Sequence, residues 1–375
     1  MKTIYTIIIN ATAAKTSGAL TVLKECVSYI EANVSQDKKY HLFTVLNEFD
    51  TLKNITVHKL KPQTWVTRIK WDNGGLQKWC RKHNLEPEAI ISLQNTSTKY
   101  RNKAGIMIIQ VVYYHNTIPL YQRNGLRGAG YKLLLYRYFY PFFVNKNNSS
   151  SHYVVQLPYI KELFCKKFKN ISSERITVIY PNKPIIDIQN IARKTLNTNN
   201  KMFAFIYPAT LFGYKNHIIL IKALAEIKKK NQDLLEKIIL YFTIDEFSKK
   251  IKKIISNNNL EKNIKLIGQV SYQELLSYYN SVDALLFPSK VESFGLPLLE
   301  ASCFGLPIIA SDLPYAREVL EDYKNKYFVN PEDVTAWAEA IGNYKEYRKI
   351  MLENTNFQEN SWKDFFQLVE KLVLE

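Results

Sequence analysis

The sequence predicts an α/β protein built as two doubly wound, Rossmann-like lobes that face a central cleft. Three observations predict it. Strand-like and helix-like segments alternate along nearly the whole chain, the mark of open, mostly parallel sheets. That alternation lapses once, near the middle, and then restarts. The length of 375 residues suits two domains of ordinary size.

The first lobe, residues 1–182, opens with Lys2–Asn10, an apolar, β-branched run of the kind a parallel sheet buries on both faces. A loop ending at Ser17-Gly18 leads into a helical stretch, Ala19–Asn33. Further strands are expected at His41–Val45, Ile55–Lys59, Ala89–Leu93, Ile106–Tyr114, Tyr153–Gln156 and Ile176–Tyr180. Helices fall between several of them, including Trp65–His83 and Pro158–Phe168.

Residues 183–200 are rich in Asn, Lys and Thr and carry Pro184, so they read as a linker. The second lobe, residues 201–355, restarts the pattern. Its strands are expected at Met202–Tyr207, Ile238–Thr243, Ile264–Ile267, Ala284–Phe287, Pro307–Ala310 and Tyr327–Val329. Its helices are expected at Asn216–Lys230, Glu246–Asn257, Tyr272–Ser281, Pro297–Phe304 and Val334–Tyr347. The tail, residues 356–375, sets Phe365, Leu368, Val369 and Leu372 on one helical face and should pack back onto the body.

Composition narrows the class. Hydrophobic residues make up 46% of the chain and charged residues 23%, which is globular rather than disordered. Cys26, Cys80, Cys165 and Cys303 are scattered, with no C-x-x-C pair, which argues against a disulfide framework or a structural zinc site. No secretory signal is read at the start and no run of 18 apolar residues follows, so a cytoplasmic protein is expected.

The net charge of +17 is unevenly shared. Residues 1–200 hold 29 Lys and Arg against 11 Asp and Glu, a balance of +18, and residues 201–375 hold 22 against 23, a balance of −1. Compositional bias toward lysine would load both halves alike. A basic first half implies an anionic partner: a membrane surface, nucleic acid or a phosphorylated acceptor.

The densest chemical signal is Ala284–Ala310, ALLFPSKVESFGLPLLEASCFGLPIIA. A buried strand ends at Pro288-Ser289, and a loop then carries Glu292, Phe294 and Gly295. Pro297 stands where a first helical turn tolerates proline. A strand, a glycine-bearing loop and a helix N-terminus form an anion site, because free N–H groups and the helix dipole point at the ligand. Either glutamate alone reads equally well as a helix-end charge or a solvated loop residue. Two carboxylates flanking an anion site are costly unless they bind something such as sugar and ribose hydroxyls.

The stretch from Glu292 to Glu300, ESFGLPLLE, resembles the E-x7-E element of retaining glycosyltransferases of the GT-B fold, family 4 (glycosyltransferase group 1). The resemblance implies that Glu300 holds the ribose of the nucleotide and Glu292 contacts the donor sugar. The backbone of Ser293, Phe294, Gly295 and Leu296 would hold the diphosphate. In FAFIYPATLFGYKNHIILIKAL, Lys215 matches a lysine that clamps the diphosphate, although lysine is more commonly a surface cation. Thr210 stands where the family usually has an arginine, and Lys290 is a candidate stand-in for that charge. IKLIGQV resembles the base-binding stretch, with Gly268 letting the backbone approach the base. In the first lobe, Gly18 occupies the position of a glycine-rich loop that often has two glycines. His115, in VVYYHNTIP, matches a histidine near the reacting sugar, whereas a lone histidine is otherwise more often structural. Gln94 and Asn95, in SLQNTS, lie at the same sheet edge and are candidates for sugar or acceptor hydroxyls.

The resemblance spans nearly the whole chain, strongly over residues 202–320 and loosely over 1–180. It looks closest to bacterial enzymes that build O-antigen or capsule. It implies a hexosyl or deoxyhexosyl transferase that uses a nucleotide sugar and an acceptor carried on a polyprenyl diphosphate. No D-x-D tripeptide occurs, so no metal or other cofactor is expected and Lys215 would neutralise the leaving group. A soluble acceptor and a sugar-nucleotide epimerase are the rivals within enzymes. Nucleic-acid binding, suggested by charge and 13% aromatic residues, leaves the E-x7-E loop unexplained.

The segment Tyr131–Val144, YKLLLYRYFYPFFV, reads in two ways. With Arg123, Arg127, Lys132 and Arg137 it suits the headgroup region of an anionic bilayer, which would place the protein peripherally on the inner face of the cytoplasmic membrane. Alternatively it is a core helix whose cations snorkel to solvent.

Overall fold

The structure, a computed structural model, describes residues 4–15, 17–121, 137, 140–144, 149–196, 202–347 and 361–374. The chain divides into two compact units. Of the described residues, the first unit holds those up to 120, those of 137–182 and the last helix; the second holds residue 121 and those from 183 to 347.

The first unit is built on a seven-stranded sheet in the order β3-β2-β1-β4-β5-β6-β7, every pairing parallel. Its strands are β1 (Tyr5–Asn10), β2 (Lys38–Thr44), β3 (Ile55–Lys59), β4 (Ala89–Ser92), β5 (Ile109–Tyr113), β6 (Ser151–Val155) and β7 (Ile176–Val178). Ile7, Ile8 and Ile9 are all buried because helices cover both faces, so the strand reads as a continuous apolar run rather than an alternation. Its helices are α1 (Ser17–Ala32), α2 (Trp65–Lys70), α3 (Leu76–Lys82) and α4 (Pro158–Lys167).

The expected single helix Trp65–His83 is interrupted. Trp71–Gly75 forms a π turn, with Gly74 at φ 113° inside it. Asn73-Gly74-Gly75 has low helix propensity, and Gly74 takes a left-handed backbone at no steric cost. The bend carries Asp72 inward, where it is buried.

The second unit has a six-stranded parallel sheet in the order β10-β9-β8-β11-β12-β13. The strands are β8 (Phe203–Tyr207), β9 (Ile238–Phe242), β10 (Ile264–Leu266), β11 (Ala284–Phe287), β12 (Ile308–Ser311) and β13 (Lys326–Val329). The helices are α5 (His217–Lys230), α6 (Gln232–Leu235), α7 (Lys249–Asn257), α8 (Tyr272–Tyr279), α9 (Leu296–Cys303), α10 (Pro314–Val319) and α11 (Val334–Gly342). Ser271 opens α8 by accepting from the Glu274 amide, a serine followed three residues on by glutamate. Counting from its own first strand, the order is 3-2-1-4-5-6, the doubly wound arrangement. Residues 183–196, read as linker, pack into this unit: the Lys194 amide donates to Ser281 Oγ at 2.7 Å and Asn280 to the Ile191 carbonyl at 2.7 Å.

The last helix, α12 (Ser361–Leu374), packs on the first unit. Phe365 and Val369 are buried as expected, and Trp362 and Phe366 join them, while Leu368 and Leu372 are partly covered. Trp362 stacks on Tyr113 and donates to Glu25 at 3.1 Å, and Phe366 stacks on Tyr29. Each such side chain contributes about 1.5–3 kcal/mol on burial.

All four cysteines are free thiols. Among the described residues no helix is long and apolar enough to cross a membrane. Arg123, Arg127 and Lys132 lie outside the described residues. Arg137 is half-buried. At the end of that segment Tyr140 and Val144 are core residues, with Tyr140 Oη donating to the Gln94 carbonyl at 3.1 Å, whereas Phe142 is exposed.

Candidate functional site

In a doubly wound sheet the ligand crevice lies past the carboxyl ends of the strands, where the strand order reverses. In the second unit that point is between β8 and β11. The loop after β8 ends in a turn at Gly213–Lys215 and Asn216, whose left-handed φ of 59° opens α5. The loop after β11 ends at Gly295, φ +94°, which opens α9. A Cβ on Gly295 would stand 3.2 Å from Leu298, so both backbone and packing require glycine there.

These loops bring together two residues 77 positions apart. Lys215 Nζ lies 2.6 Å from Glu292 Oε1, with both side chains mostly sheltered from solvent. Tyr207 Oη donates to the Lys215 carbonyl at 2.6 Å, and the ammonium lies over the Tyr214 ring at 5.6 Å. The Lys290 amide ties the second loop to the first by donating to the Tyr214 carbonyl at 2.8 Å. Burial raises the hydroxyls of Tyr207, Tyr214 and Tyr315, and the Glu292 charge raises each further.

Around this pair the amides of Ser293, Phe294, Gly295 and Leu296 donate to nothing among the described residues. Four open N–H groups at a helix start, with a lysine beside them, can bind an anion with two charges. Phe294 is buried. Thr210 is exposed and brings no charge. Lys290, the candidate stand-in for the missing arginine, has its ammonium 2.5 Å from the exposed Glu332, a partner that a donor phosphate would have to displace.

Glu300 sits in the second turn of α9, where it accepts from Tyr279 Oη at 3.1 Å. Burial pushes its carboxyl up to about 7, and the Tyr279 bond opposes the rise. Gly268 has φ +71°, its amide donates to the Ile244 carbonyl at 3.2 Å, and a Cβ there would meet Asp245 at 3.0 Å. The chain's own geometry therefore accounts for this glycine.

In the first unit the corresponding point lies past β1 and β4. Gln94 and Asn95 are adjacent in sequence and face different tasks. Gln94 is buried, accepts from Thr12 at 3.0 Å and donates to Asp72 at 2.8 Å, which ties its carboxamide into the unit. Asn95, with φ 66°, accepts from the His115 amide at 2.6 Å and turns its Nδ2 to His115 Nε2 at 3.2 Å. An amide nitrogen only donates, so Nε2 accepts and the proton sits on Nδ1. Burial pulls His115 down to about 4, with Arg68 adding to the effect, so it is a neutral imidazole near pH 7. Gly18 lies in the first turn of α1 with open space where a Cβ would stand.

Sequence reasoning missed Asp72 and Tyr279. Asp72 accepts from Asn10, Gln94 and Thr96, and burial pushes it up to about 6. Only the low helix propensity of the residues after it signals that the helix bends there. For Tyr279 the available signal was a tyrosine among apolar residues, whose hydroxyl needs a partner once buried.

Known proteins resemble this chain in sequence and in fold. Residues 188–362 match the family described as glycosyl transferases group 1. That match spans just under half of the chain and marks a glycosyltransferase group 1 domain within it. It is 26% identical over 250 residues to the O-antigen chain mannosyltransferase RfbU of Salmonella typhimurium, covering 65% of this chain and 67% of that one. It is 27% identical to the capsular polysaccharide biosynthesis glycosyltransferase CapH of Staphylococcus aureus, over 48% of this chain and 46% of that one. The solved structure of WaaG, a glycosyltransferase involved in lipopolysaccharide biosynthesis, superposes with a TM-score of 0.69 at 13% identity, covering 98% of each chain. The chain thus has the GT-B fold, two parallel-sheet α/β units.

Proposed function

We propose that this transferase moves a sugar from a nucleotide-sugar donor, with retention at the anomeric carbon, to a saccharide acceptor in bacterial surface polysaccharide synthesis, as a family 4 enzyme. The observation that carries the reading is the meeting of Lys215 and Glu292 beside four open amides at the switch point of the second sheet. A sugar diphosphate matches that set, with phosphate for the cation and amides and hydroxyls for the carboxylates. The names of the relatives, O-antigen and capsule enzymes, support the same reaction class.

In the free protein Lys215 is neutralised by Glu292. A diphosphate placed on Lys215 and the amides displaces that carboxylate, which then orients the donor sugar. As the bond from the anomeric carbon to the phosphate oxygen breaks, preorganised donors hold the developing charge. The acceptor hydroxyl forms the new bond on the same face and passes its proton to a phosphate oxygen. Lys215 and the start of α9 meet the charge of the leaving group, so no metal is needed. Glu300 binds the ribose diol. His115 and Asn95 are the first unit's candidates for sugar contact.

The acceptor is a saccharide on a polyprenyl diphosphate, met by an enzyme lying on the inner face of the cytoplasmic membrane. The supporting observation is the balance of +18 in residues 1–200. Each lysine or arginine near an anionic surface is worth about 1 kcal/mol. Replacing Arg123, Arg127, Lys132 and Arg137 with Gln should therefore release the protein from anionic liposomes. If it sediments as before, the basic residues serve the acceptor's phosphates instead.

The test of the reaction itself is a thermal-shift panel of nucleotides and nucleotide sugars, followed by mass analysis of products. A donor that binds only the folded state raises the melting temperature. A panel with no shift, or a donor converted to its epimer without transfer, overturns the proposal.

A further inference from the structure

The geometry points to Tyr279 as a positioning residue for nucleotide binding: its hydroxyl holds one oxygen of Glu300 and leaves the other for the ribose diol. This rests on the proposed ribose role of Glu300 and adds a residue from a different helix.

Tyr279 is the last residue of α8, and Glu300 is in α9. The tyrosine ring is almost fully buried, and it packs against Phe304 at 5.8 Å. Packing therefore fixes the ring, and the hydroxyl points at Glu300 Oε2 at 3.1 Å. The hydroxyl hydrogen has the Glu300 carboxylate as its acceptor, since burial and the nearby glutamate keep the phenol protonated. A carboxylate with one oxygen pinned loses rotation about its last bond, so Oε1 is presented in one direction. Preorganisation of this kind raises affinity without adding a contact to the ligand.

The bond also sets the charge of Glu300. Burial drives the carboxyl up to about 7, and the donated hydrogen bond holds it down. A carboxylate accepts both diol hydrogens, whereas a carboxylic acid must donate one of its own, so nucleotide affinity should rise as pH passes through this range. The other groups that act on the pair are Tyr272 on α8, Cys303 one turn further along α9, and Lys183 facing Cys303. Lys183 acts on the thiol and Tyr272 on the phenol, which leaves the Tyr279 bond as the main counterweight to burial at Glu300.

The experiment is nucleotide affinity by calorimetry from about pH 6 to about pH 9 in the wild type, Tyr279→Phe and Glu300→Gln. Phenylalanine keeps the packed ring and removes only the hydroxyl. In Tyr279→Phe the midpoint of the rise should move to higher pH, with affinity near pH 7 about tenfold weaker and most of it recovered at the alkaline end. Glu300→Gln should flatten the profile. If Tyr279→Phe keeps the wild-type midpoint, or loses the same factor at every pH, Tyr279 does not position Glu300. If Glu300→Gln itself retains full affinity and the same pH dependence, the ribose role of Glu300 fails and this inference with it. Should Tyr279→Phe prove unstable, the midpoint is read in Tyr279→Leu. That variant has no side-chain donor, and a wild-type midpoint in it counts against the proposal.

Discussion

The carboxyl ends of β1 and β4 in the first unit and of β8 and β11 in the second occupy the same topological place, and they are furnished in opposite ways. Among the described residues of the second unit, Lys215 is held by Glu292 and the Tyr214 ring, and four amides have no acceptor. In the first unit Asp72 is ringed by Asn10, Gln94 and Thr96, and Gln94 is held in turn by Thr12. Both places hold a carboxyl that desolvation pushes upward, Asp72 to about 6 and Glu300 to about 7. Topology supplies a crevice in each. Open donors stand at one, and side chains gathered round a buried carboxyl stand at the other.

The sharpest way to break this contrast is Lys215→Ala. It should lower kcat/KM by about 10²–10³, the cost of losing one preorganised donor to developing charge, while the fold stays intact. Steady-state kinetics with a measured melting curve decide it, and a loss below tenfold would mean the amides suffice. Next in size is Glu300→Gln, expected to weaken nucleotide binding by roughly 1.5–3 kcal/mol, read by calorimetry at one alkaline pH. Unchanged affinity in a folded variant would remove Glu300 from the site.

Asp72 should affect stability rather than donor binding. Its folded pKa is raised, so the stability linked to its protonation is fully present below the unfolded value and is lost as pH rises through the folded one. Between about pH 4 and about pH 6 the wild type should lose about 2–3 kcal/mol that Asp72→Asn does not lose. Denaturant titrations at several pH values measure this, and parallel curves for the two proteins would contradict it.

A smaller effect tests the competition at Lys215. Glu292→Gln should bind the nucleoside diphosphate about fivefold more tightly, near 1 kcal/mol, because no carboxylate then has to be displaced. The same variant should transfer sugar more slowly. Weaker diphosphate binding would show that Glu292 assists rather than competes. Last, chelation by EDTA should leave the rate unchanged. Loss restored by magnesium or manganese would mean that the leaving group relies on a metal.

How much was legible follows from where the residues lie. The second site is local: a strand, a loop with Glu292, and a helix with Gly295 and Glu300 fall within Ala284–Cys303, so periodicity and glycine placement expose it. The polar network of the first unit draws Asn10, Asp72, Gln94 and Thr96 from three separated segments, and no spacing announces such a set. Asp72 was further concealed by a helix that periodicity extends from Trp65 to His83 and that in fact bends at Gly74. Lys290 looked available because sequence shows a charge and hides its partner, Glu332, 42 residues away.

By itself the sequence determined the two parallel sheets, the helices between them and the glycine turn before α9. Those depend on local periodicity and on backbone conformations that only glycine or proline favour. Tertiary structure alone decided which charges meet. The pairing of Lys215 with Glu292, the capture of Lys290 by Glu332 and the bond from Tyr279 to Glu300 each join elements far apart in the chain. Their energies depend on distance and burial, and both are set only when the sheets bring the loops together.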